Sequence, residues 1–430
     1  MRDFATSSDA AVQAQLDRLG ALSLPQGRFG LETIRAICAR LGDPQRTLPP
    51  VLHVAGTNGK GSTCAFLRAM LEAQGLSVHA YTSPHLVRFN ERIRLAERLI
   101  DDATLAALLE EVLDASEDLG PSFFEVSTAA AFLAFVRAPA DACVIEVGLG
   151  GRFDATNVVE TPVVCGIASL GIDHEAYLLT PEDGVPAEPL ARIAFEKAGI
   201  AKPGVPLVTQ AYPLGAAKAV IDAAMTAGAR PAMRGLDWFA GIGKRIVYRD
   251  ARGALDLPLP ALAGAHQADN AALAVAMLRH QDALEVSPGA MAAGIGAARW
   301  PGRLQRLGSG ALTAMVPGRT VWLDGGHNPD AGEALAAHFA SADPLHLVIG
   351  MLANKNPAAI VGPLEDRLAS VTVVPIPGHE SHPAQAFGNA GSAPDVAIAL
   401  RQLSAPGDVL IAGSLYLAGT VLAANGESPG

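Results

Sequence analysis

The sequence predicts an α/β fold with mostly parallel sheets, and three observations carry that expectation. Short apolar runs rich in β-branched residues recur along the chain, each bounded by Gly, Pro or Asp. Stretches with apolar residues at helical spacing lie between most of them. A glycine-rich segment, Gly56-Thr57-Asn58-Gly59-Lys60-Gly61-Ser62, joins one such run to the helix after it. Strands alternating with helices pack as a parallel sheet covered on both faces. At roughly 150 residues per domain, a chain of 430 residues holds two or three domains.

Taken in order, Ser8 is expected to cap a first helix that buries Val12, Leu16 and Leu19. Leu31, Ile34, Ile37 and Leu41 mark a second helix, stopped by Gly42. Residues 51–55 read as a buried strand and 62–74 as the helix after it, with Gly75 as its stop. Strands are expected at 77–81, 142–147 and 163–168, and helices at 103–113, 124–136 and 270–279. A second unit is expected to begin near Trp300-Pro301-Gly302, which gives domains 1–298 and 299–430. The stretch 294–302 is a candidate hinge. Strands at 320–323, 345–349, 370–374 and 409–411 then alternate with helices at 331–339 and 394–403, the last with Pro394 in its first turn.

Composition removes several function classes. Half of the residues are hydrophobic and 17% are charged, far from the composition of disordered chains. Lys and Arg number 32 against 43 Asp and Glu, so the net charge is −11 and a general nucleic-acid binder is not expected. No apolar run approaches the ~18 residues of a membrane span, and the N-terminus has no signal-peptide core. Cys38, Cys64, Cys143 and Cys165 show no CxxC spacing. They read as reduced core thiols of a cytoplasmic protein, without structural zinc.

The segment 56–62 reads as a phosphate loop, with a plain glycine-rich turn between strand and helix as the alternative. Its glycines let backbone N–H groups face an anion, and the helix it opens adds partial positive charge. Lys60 supplies a full charge, and Ser62 or Thr63 a hydroxyl. The strict GxxxxGK[ST] spacing is not met, because residue 54 is Val and Gly61 follows the lysine. Glu146 ends another strand, where open α/β sheets place their ligands, and a carboxylate there suits Mg²⁺. His174 follows a third strand; alone it reads equally as a loop histidine, Asp173 as a turn residue and Lys197 as a surface lysine near a helix C-terminus.

Together these motifs resemble the folylpolyglutamate synthase/dihydrofolate synthase family, a branch of the Mur ligase superfamily. The residues that carry the resemblance are GTNGKGS at 56–62, SPHLVRFNERIR at 83–94, FFE at 123–125, EVGLGGRFDATN at 146–157, IDH at 172–174, EKAGI at 196–200, HQADNAALA at 266–274, PGRLQ at 301–305 and DGGHNP at 324–329, in that order, with GSLY at 413–416. The resemblance implies a P-loop-type parallel-sheet domain that binds ATP and a smaller Rossmann-like C-terminal domain, with the active site between them. It implies ligation of L-glutamate to 7,8-dihydropteroate or tetrahydrofolate through an acyl phosphate.

By motif, Thr57, Asn58, Gly59, Lys60, Gly61 and Ser62 would hold ATP phosphates, and Asn270, Arg303 and Asp324 would contact the nucleotide. Ser83, Glu146, His174 and Lys197 would hold two Mg²⁺ ions, Lys197 as a CO₂-derived carbamate. His327 and Ser414 would meet the glutamate, and Lys60, Lys197 and His327 are the expected catalytic residues. Pterin contacts would come from Arg28, Phe29, Gly30, Leu31, Ser122, Phe123, Phe124, Glu125, Phe153, Asp154 and Ala155. Asp154 and Ala155 in GRFDATN are similar to the bifunctional form, which accepts dihydropteroate. The stretch from His174 to Lys197, with Pro181, Pro186 and Pro189, is longer than the family pattern and bears on how His174 reaches a metal.

The expected partners are small molecules, with no nucleic acid, no membrane and a monomeric chain. The alternatives are a synthase that extends polyglutamates without using dihydropteroate, another Mur-type amide ligase, and a nucleotide-dependent switch. The switch would need the phosphate loop but not DGGHNP, the Arg303 motif or Lys197.

Overall fold

A computed structural model describes residues 6–22, 30–341 and 344–429. They form two compact units. One takes in Met1–Pro84, Arg88–Ala261 and Ala268–Ala298, and the other His85–Val87, Leu262–Gln267 and Arg299–Gly430.

The first unit is built on eight strands: β1 Val51–Ala55, β2 Val78–Tyr81, β3 Ile93–Leu95, β4 Arg98–Leu99, β5 Ala142–Glu146, β6 Val164–Ile167, β7 Pro206–Thr209 and β8 Arg230–Met233. Their order in the sheet is β4-β3-β2-β5-β1-β6-β7-β8. The six from β2 to β8 in that order run parallel, and β3 and β4 add an antiparallel edge. Every residue of β1, β2, β5, β6 and β7 is buried, as expected of strands covered on both faces. The chain leaves β1 toward β2 on one side, returns through β5, and then crosses to β6 on the other. Reversal of strand order at β1 opens a crevice at the carboxyl ends of β5, β1 and β6.

A second sheet of this unit was not anticipated from the sequence: β9 Trp238–Ile242, β10 Ile246–Asp250 and β11 Gly253–Leu257, all antiparallel. Trp238, Ile246, Tyr248 and Leu257 are buried while Phe239 and Val247 are exposed, so only one face is covered.

The second unit holds β12 Gln305–Arg306, β13 Val321–Leu323, β14 Leu345–Ile349, β15 Leu368–Val373, β16 Gly391–Ser392 and β17 Val409–Ala412. Their order is β12-β13-β17-β14-β15-β16, parallel except for β12.

Two expectations are corrected. Asp9, not Ser8, caps the first helix Ala10–Ala21, accepting from the N–H groups of Ala11 and Val12 at 3.0 and 2.9 Å. Pro394 lies before the cap Asp395 of helix Val396–Arg401, not in its first turn. Gly294 lies inside helix Pro288–Ala297, where an added Cβ would stand 2.5 Å from Met70 Cα. That glycine serves close helix packing, and the division between the two units falls later in the stretch, between Ala298 and Arg299.

Candidate active site

The glycine-rich loop starts where β1 ends. Gly56 has φ +150°, and a Cβ there would lie 2.9 Å from that of Ala168, so the loop crosses closely over the end of β6. Thr57 N–H donates to Ser169 O at 2.7 Å, Thr57 Oγ1 to Gly171 O at 3.0 Å, and Ser169 Oγ to Asn58 O at 3.1 Å. Gly59, at φ +83°, caps helix Lys60–Ala73, whose first turn carries no acid. The first N–H groups of such a helix point at the space above it, where an anion is favoured. A Cβ on Gly59 would come within 2.3 Å of Asn270 Oδ1, so Asn270, from helix His266–His280, sits directly on the loop. Lys60 Nζ folds back to donate to Gly56 O at 3.0 Å and Thr57 O at 3.3 Å. Gly61, Ser62 and Thr63 are buried in the first turn, and Thr63 Oγ1 has no hydrogen-bond partner among the described residues.

Glu146 ends β5 beside Val54, which brings its carboxylate to the same crevice. It is 4% exposed and accepts the Ser83 N–H at 3.2 Å, from just past β2. Lys197, in the last turn of helix Pro189–Ala198, is also 4% exposed, and its Nζ donates to Gly56 O at 2.9 Å. Lys60 and Lys197 therefore meet on one carbonyl. Burial first, and then the Lys60 charge, drive the Lys197 ammonium down to a pKa of about 7. His174 takes a left-handed conformation, φ +55°, at the start of helix Glu175–Leu178, with its Nε2 3.9 Å from Asp173 Oδ2.

Among the described residues no three His, Cys, Asp or Glu side chains are gathered to hold a metal. Glu146 supplies one anionic oxygen, Ser83 a hydroxyl and His174 an imidazole. Such a set fits a hard divalent cation when phosphate oxygens and a modified Lys197 complete the shell.

The segment after β5 is organised by Asp154. Its Oδ2 accepts Leu149 N–H at 2.8 Å, and its Oδ1 accepts Thr156 N–H at 3.0 Å and Thr156 Oγ1 at 2.5 Å. Thr156 Oγ1 also lies 2.8 Å from His53 Nε2. Since the hydroxyl proton goes to Asp154, the shared proton sits on His53 Nε2, and Nδ1 is left bare without a partner. Burial drives His53 down to a pKa of about 3, which keeps the ring neutral. Neither His53 nor Thr156 was picked out from the sequence; a histidine inside an otherwise apolar strand was the available signal.

Phe124 packs its ring on Gly148, where a Cβ would come 2.4 Å from Phe124 Cζ, and Tyr81 lies at 6.0 Å between centroids. Ser122 caps helix Phe123–Arg137 and holds Glu125 Oε2 through its Oγ at 2.7 Å and its N–H at 2.8 Å. Phe123 meets Phe89 edge-on at 5.9 Å, and Phe153 lies under the Arg152 guanidinium at 4.3 Å. Ala155 and Leu31 are buried, and Gly30 adjoins the Glu32 carboxylate. Arg28 and Phe29 lie outside the described residues.

In the second unit, Asp324 follows β13 and accepts Leu304 N–H at 2.7 Å and Gly326 N–H at 2.6 Å. Arg303 Nη1 would lie 2.8 Å from a Cβ on Gly325, so the guanidinium rests on that glycine. His327 Nδ1 is 2.9 Å from Gly325 O. Ser414 follows the neighbouring β17 and caps helix Leu415–Asn425, accepting Tyr416 N–H at 3.1 Å. A Cβ on Gly325 would stand 2.2 Å from Leu415 Cδ2, so the two loops touch. Arg303, Asp324, His327 and Ser414 thus gather at the carboxyl ends of adjacent parallel strands, and Lys60, Glu146 and Lys197 gather in the first unit.

No family model matches the chain. The dihydrofolate synthase/folylpolyglutamate synthase of Escherichia coli (strain K12) is 34% identical over 407 residues, which cover 92% of this chain and 90% of that one. The structure of E. coli FolC in complex with DHPP and ADP matches with a TM-score of 0.84 and 32% identity, over 96% of this chain and 97% of that chain. A bifunctional folylpolyglutamate synthase/dihydrofolate synthase with Mn, AMPPNP and L-glutamate bound matches with a TM-score of 0.83 and 31% identity, over 99% of both chains. With that identity spread along nearly the whole of each chain, on a Mur ligase-type fold, the protein belongs to the dihydrofolate synthase/folylpolyglutamate synthase family.

Proposed function

We propose that the protein ligates L-glutamate to 7,8-dihydropteroate, forming dihydrofolate, and to tetrahydrofolate, extending its γ-glutamyl chain, with ATP cleaved to ADP and phosphate. The observation that carries this reading is the placement of Lys197 Nζ on the phosphate loop, 2.9 Å from Gly56 O, with its pKa lowered to about 7. Only a neutral amine attacks CO₂, so an amine that loses its proton near neutrality is suited to become a carbamate. That product turns a cation that would repel a metal into a donor of hard oxygens. Ser83, Glu146, His174 and the Lys197 carbamate would then hold divalent cations. When bound, these ions screen the repulsion between a carboxylate and the γ-phosphate.

In this reading the loop from Thr57 to Ser62 cradles the triphosphate, with Asn270 against it. Lys60 turns from the carbonyls of Gly56 and Thr57 to the phosphate oxygens. Its charge stabilises the transferring phosphoryl group. The dihydropteroate carboxylate, or the γ-carboxylate of a reduced folate, attacks phosphorus in line, ADP leaves, and an acyl phosphate forms. The second unit supplies Arg303 and Asp324 for the nucleotide, and His327 and Ser414 for glutamate. The His327 Nδ1 contact with Gly325 O orients the imidazole, which takes the proton of the attacking α-amine. The amine attacks the acyl carbon, and phosphate leaves.

Phe124 on Gly148, together with Asp154 and Ala155, is assigned to the pterin. Ser122, Phe123, Glu125 and Phe153 support that pocket through the contacts described. The protein is read as a cytoplasmic monomer. Four buried, unpaired cysteines, and no helix among the described residues long and apolar enough to cross a membrane, agree with that placement.

The test incubates the protein with ATP, Mg²⁺, labelled glutamate and either dihydropteroate or tetrahydrofolate, and identifies the conjugates by mass. Dihydrofolate and longer glutamyl chains are expected, with ADP release that depends on both co-substrates. Products from tetrahydrofolate alone would assign a polyglutamate-extending enzyme. ADP release indifferent to both acceptors would assign a nucleotide switch.

A further inference from the structure

The long stretch between His174 and Lys197 has no part in the mechanism above, yet it is tied into the site's framework. Arg152 Nη2 pairs with Glu182 Oε2 at 2.5 Å and with Glu196 Oε1 at 2.7 Å. Arg192 Nη2 pairs with the same two carboxylates, at 2.9 Å to Glu182 and 2.8 Å to Glu196. Two cations and two anions thus close a ring. Its inner members, Arg192 and Glu196, each keep only 7% of their side-chain exposure.

The ring joins three segments. Arg152 belongs to the glycine loop after β5 and adjoins Phe153 and Asp154. Arg192 and Glu196 lie on the helix that carries Lys197. Glu182 comes from the middle of the long stretch. Arg152 N–H also donates to Glu196 O at 2.8 Å, and a Cβ on Gly151 would stand 2.7 Å from Lys197 O, so loop and helix touch along their backbones. Without Glu182, two guanidinium groups would share the single carboxylate of Glu196 in a partly dry pocket, where like charges repel strongly. Arg152 would then keep only Glu196, through its Nε at 3.0 Å and Nη2 at 2.7 Å, in competition with Arg192, and its hold on the loop would weaken.

We propose that Glu182 is a positioning residue: with Glu196 it neutralises the Arg152–Arg192 pair, and so locks the loop bearing Asp154 to the helix bearing Lys197. It touches no substrate and acts through the two arginines. In its effect on ligation, the inference rests on the function proposed above. In its effect on structure, it does not.

The test compares the full-length protein with Glu182→Gln and Glu182→Asp. Two readouts are followed: hydrogen exchange of the backbone amides, and steady-state ligation with dihydropteroate and ATP varied separately. Glu182→Gln removes the charge at nearly constant size. Exchange over residues 149–155 and 190–199 is expected to accelerate at least tenfold, while amides of β1 and of helix Lys60–Ala73 stay as in the parent. The dihydropteroate KM should rise and kcat should fall by tenfold or more, with the ATP KM within twofold. Glu182→Asp keeps the charge and should recover part of both effects. Unchanged exchange in those two segments would overturn the proposal whether or not the protein ligates folates. So would faster exchange spread evenly over the whole first unit, which marks general destabilisation, or local loosening with unchanged ligation. A parent protein with no ligase activity would overturn the proposed function, and the exchange result would still decide whether Glu182 is the lock.

Discussion

A lysine buried against a second lysine gives its proton up more readily than one in water. For Lys197 the folded-state value is about 7 against 10.5 for the unperturbed side chain. Between these two values the unfolded chain binds a proton that the native chain does not. Stability therefore rises with pH across that window, by up to about 1.4 kcal/mol per pH unit. Above it the burial penalty is gone, and below it the penalty is complete. Lys197→Met removes the titrating group. In CO₂-free buffer, the stability of the parent relative to this variant, from urea titrations, is expected to be lowest at pH 7 and to climb toward pH 10. A constant difference would remove the perturbed lysine from the account.

Lys60 and Glu146 make a simpler case at the same scale. Each is assigned to charge that develops during phosphoryl transfer. Lys60→Ala and Glu146→Ala should each lower ligation by at least ~100-fold, the usual scale for such a partner, while circular dichroism stays unchanged. Near-normal turnover in either variant would contradict its assignment.

At the scale of elements, most of the parallel strands were legible because burial on both faces writes itself as an unbroken apolar run, whereas β7, β8 and β16 were not anticipated. The expected 51–55 and 345–349 are the observed Val51–Ala55 and Leu345–Ile349, and the other expected strands differ from the observed ones only at their ends. The antiparallel sheet β9–β11 was not legible. With one covered face, it mixes Trp238, Ile246 and Tyr248 with exposed Phe239, Val247 and Arg249, and glycines interrupt the alternation. The site shows the same division. A glycine at φ +83° and a lysine after a strand leave a local pattern, whereas the His53–Thr156 contact joins residues 103 positions apart, and a histidine in an apolar strand does not say what it meets.

That chain ties central strand β1 to the loop after β5, so its loss should be felt by the element and not by the phosphate loop. Thr156→Val keeps the shape but strands the His53 Nε2 proton and removes one donor from Asp154. A destabilisation of about 1–3 kcal/mol is expected for a buried polar group left unpaired, measured by urea unfolding. The KM for dihydropteroate should rise while ATP affinity holds. Equal loss of both would mean that Thr156 supports the whole sheet end and not the loop alone.

For the whole molecule, the two units have separate apolar cores, one set around helix Phe123–Arg137 and β6, the other around β13, β14 and β17. The residues assigned to one reaction are nevertheless divided between them, Lys60 in the first and Arg303 in the second. A switch that only binds and hydrolyses ATP through the glycine loop would be indifferent to Arg303. A ligase whose two units act on the same phosphoryl transfer would not, and removing both side chains would cost less than the product of the separate losses, because groups that stabilise one transition state together are not additive. Lys60→Ala and Arg303→Ala are each expected to lower ligation by about 100-fold, and the double variant by clearly less than about 10,000-fold. Single-turnover conversion of labelled dihydropteroate measures all three. Full additivity would mean that the two residues serve separate steps, and normal ligation by Arg303→Ala would remove that residue from the nucleotide's environment.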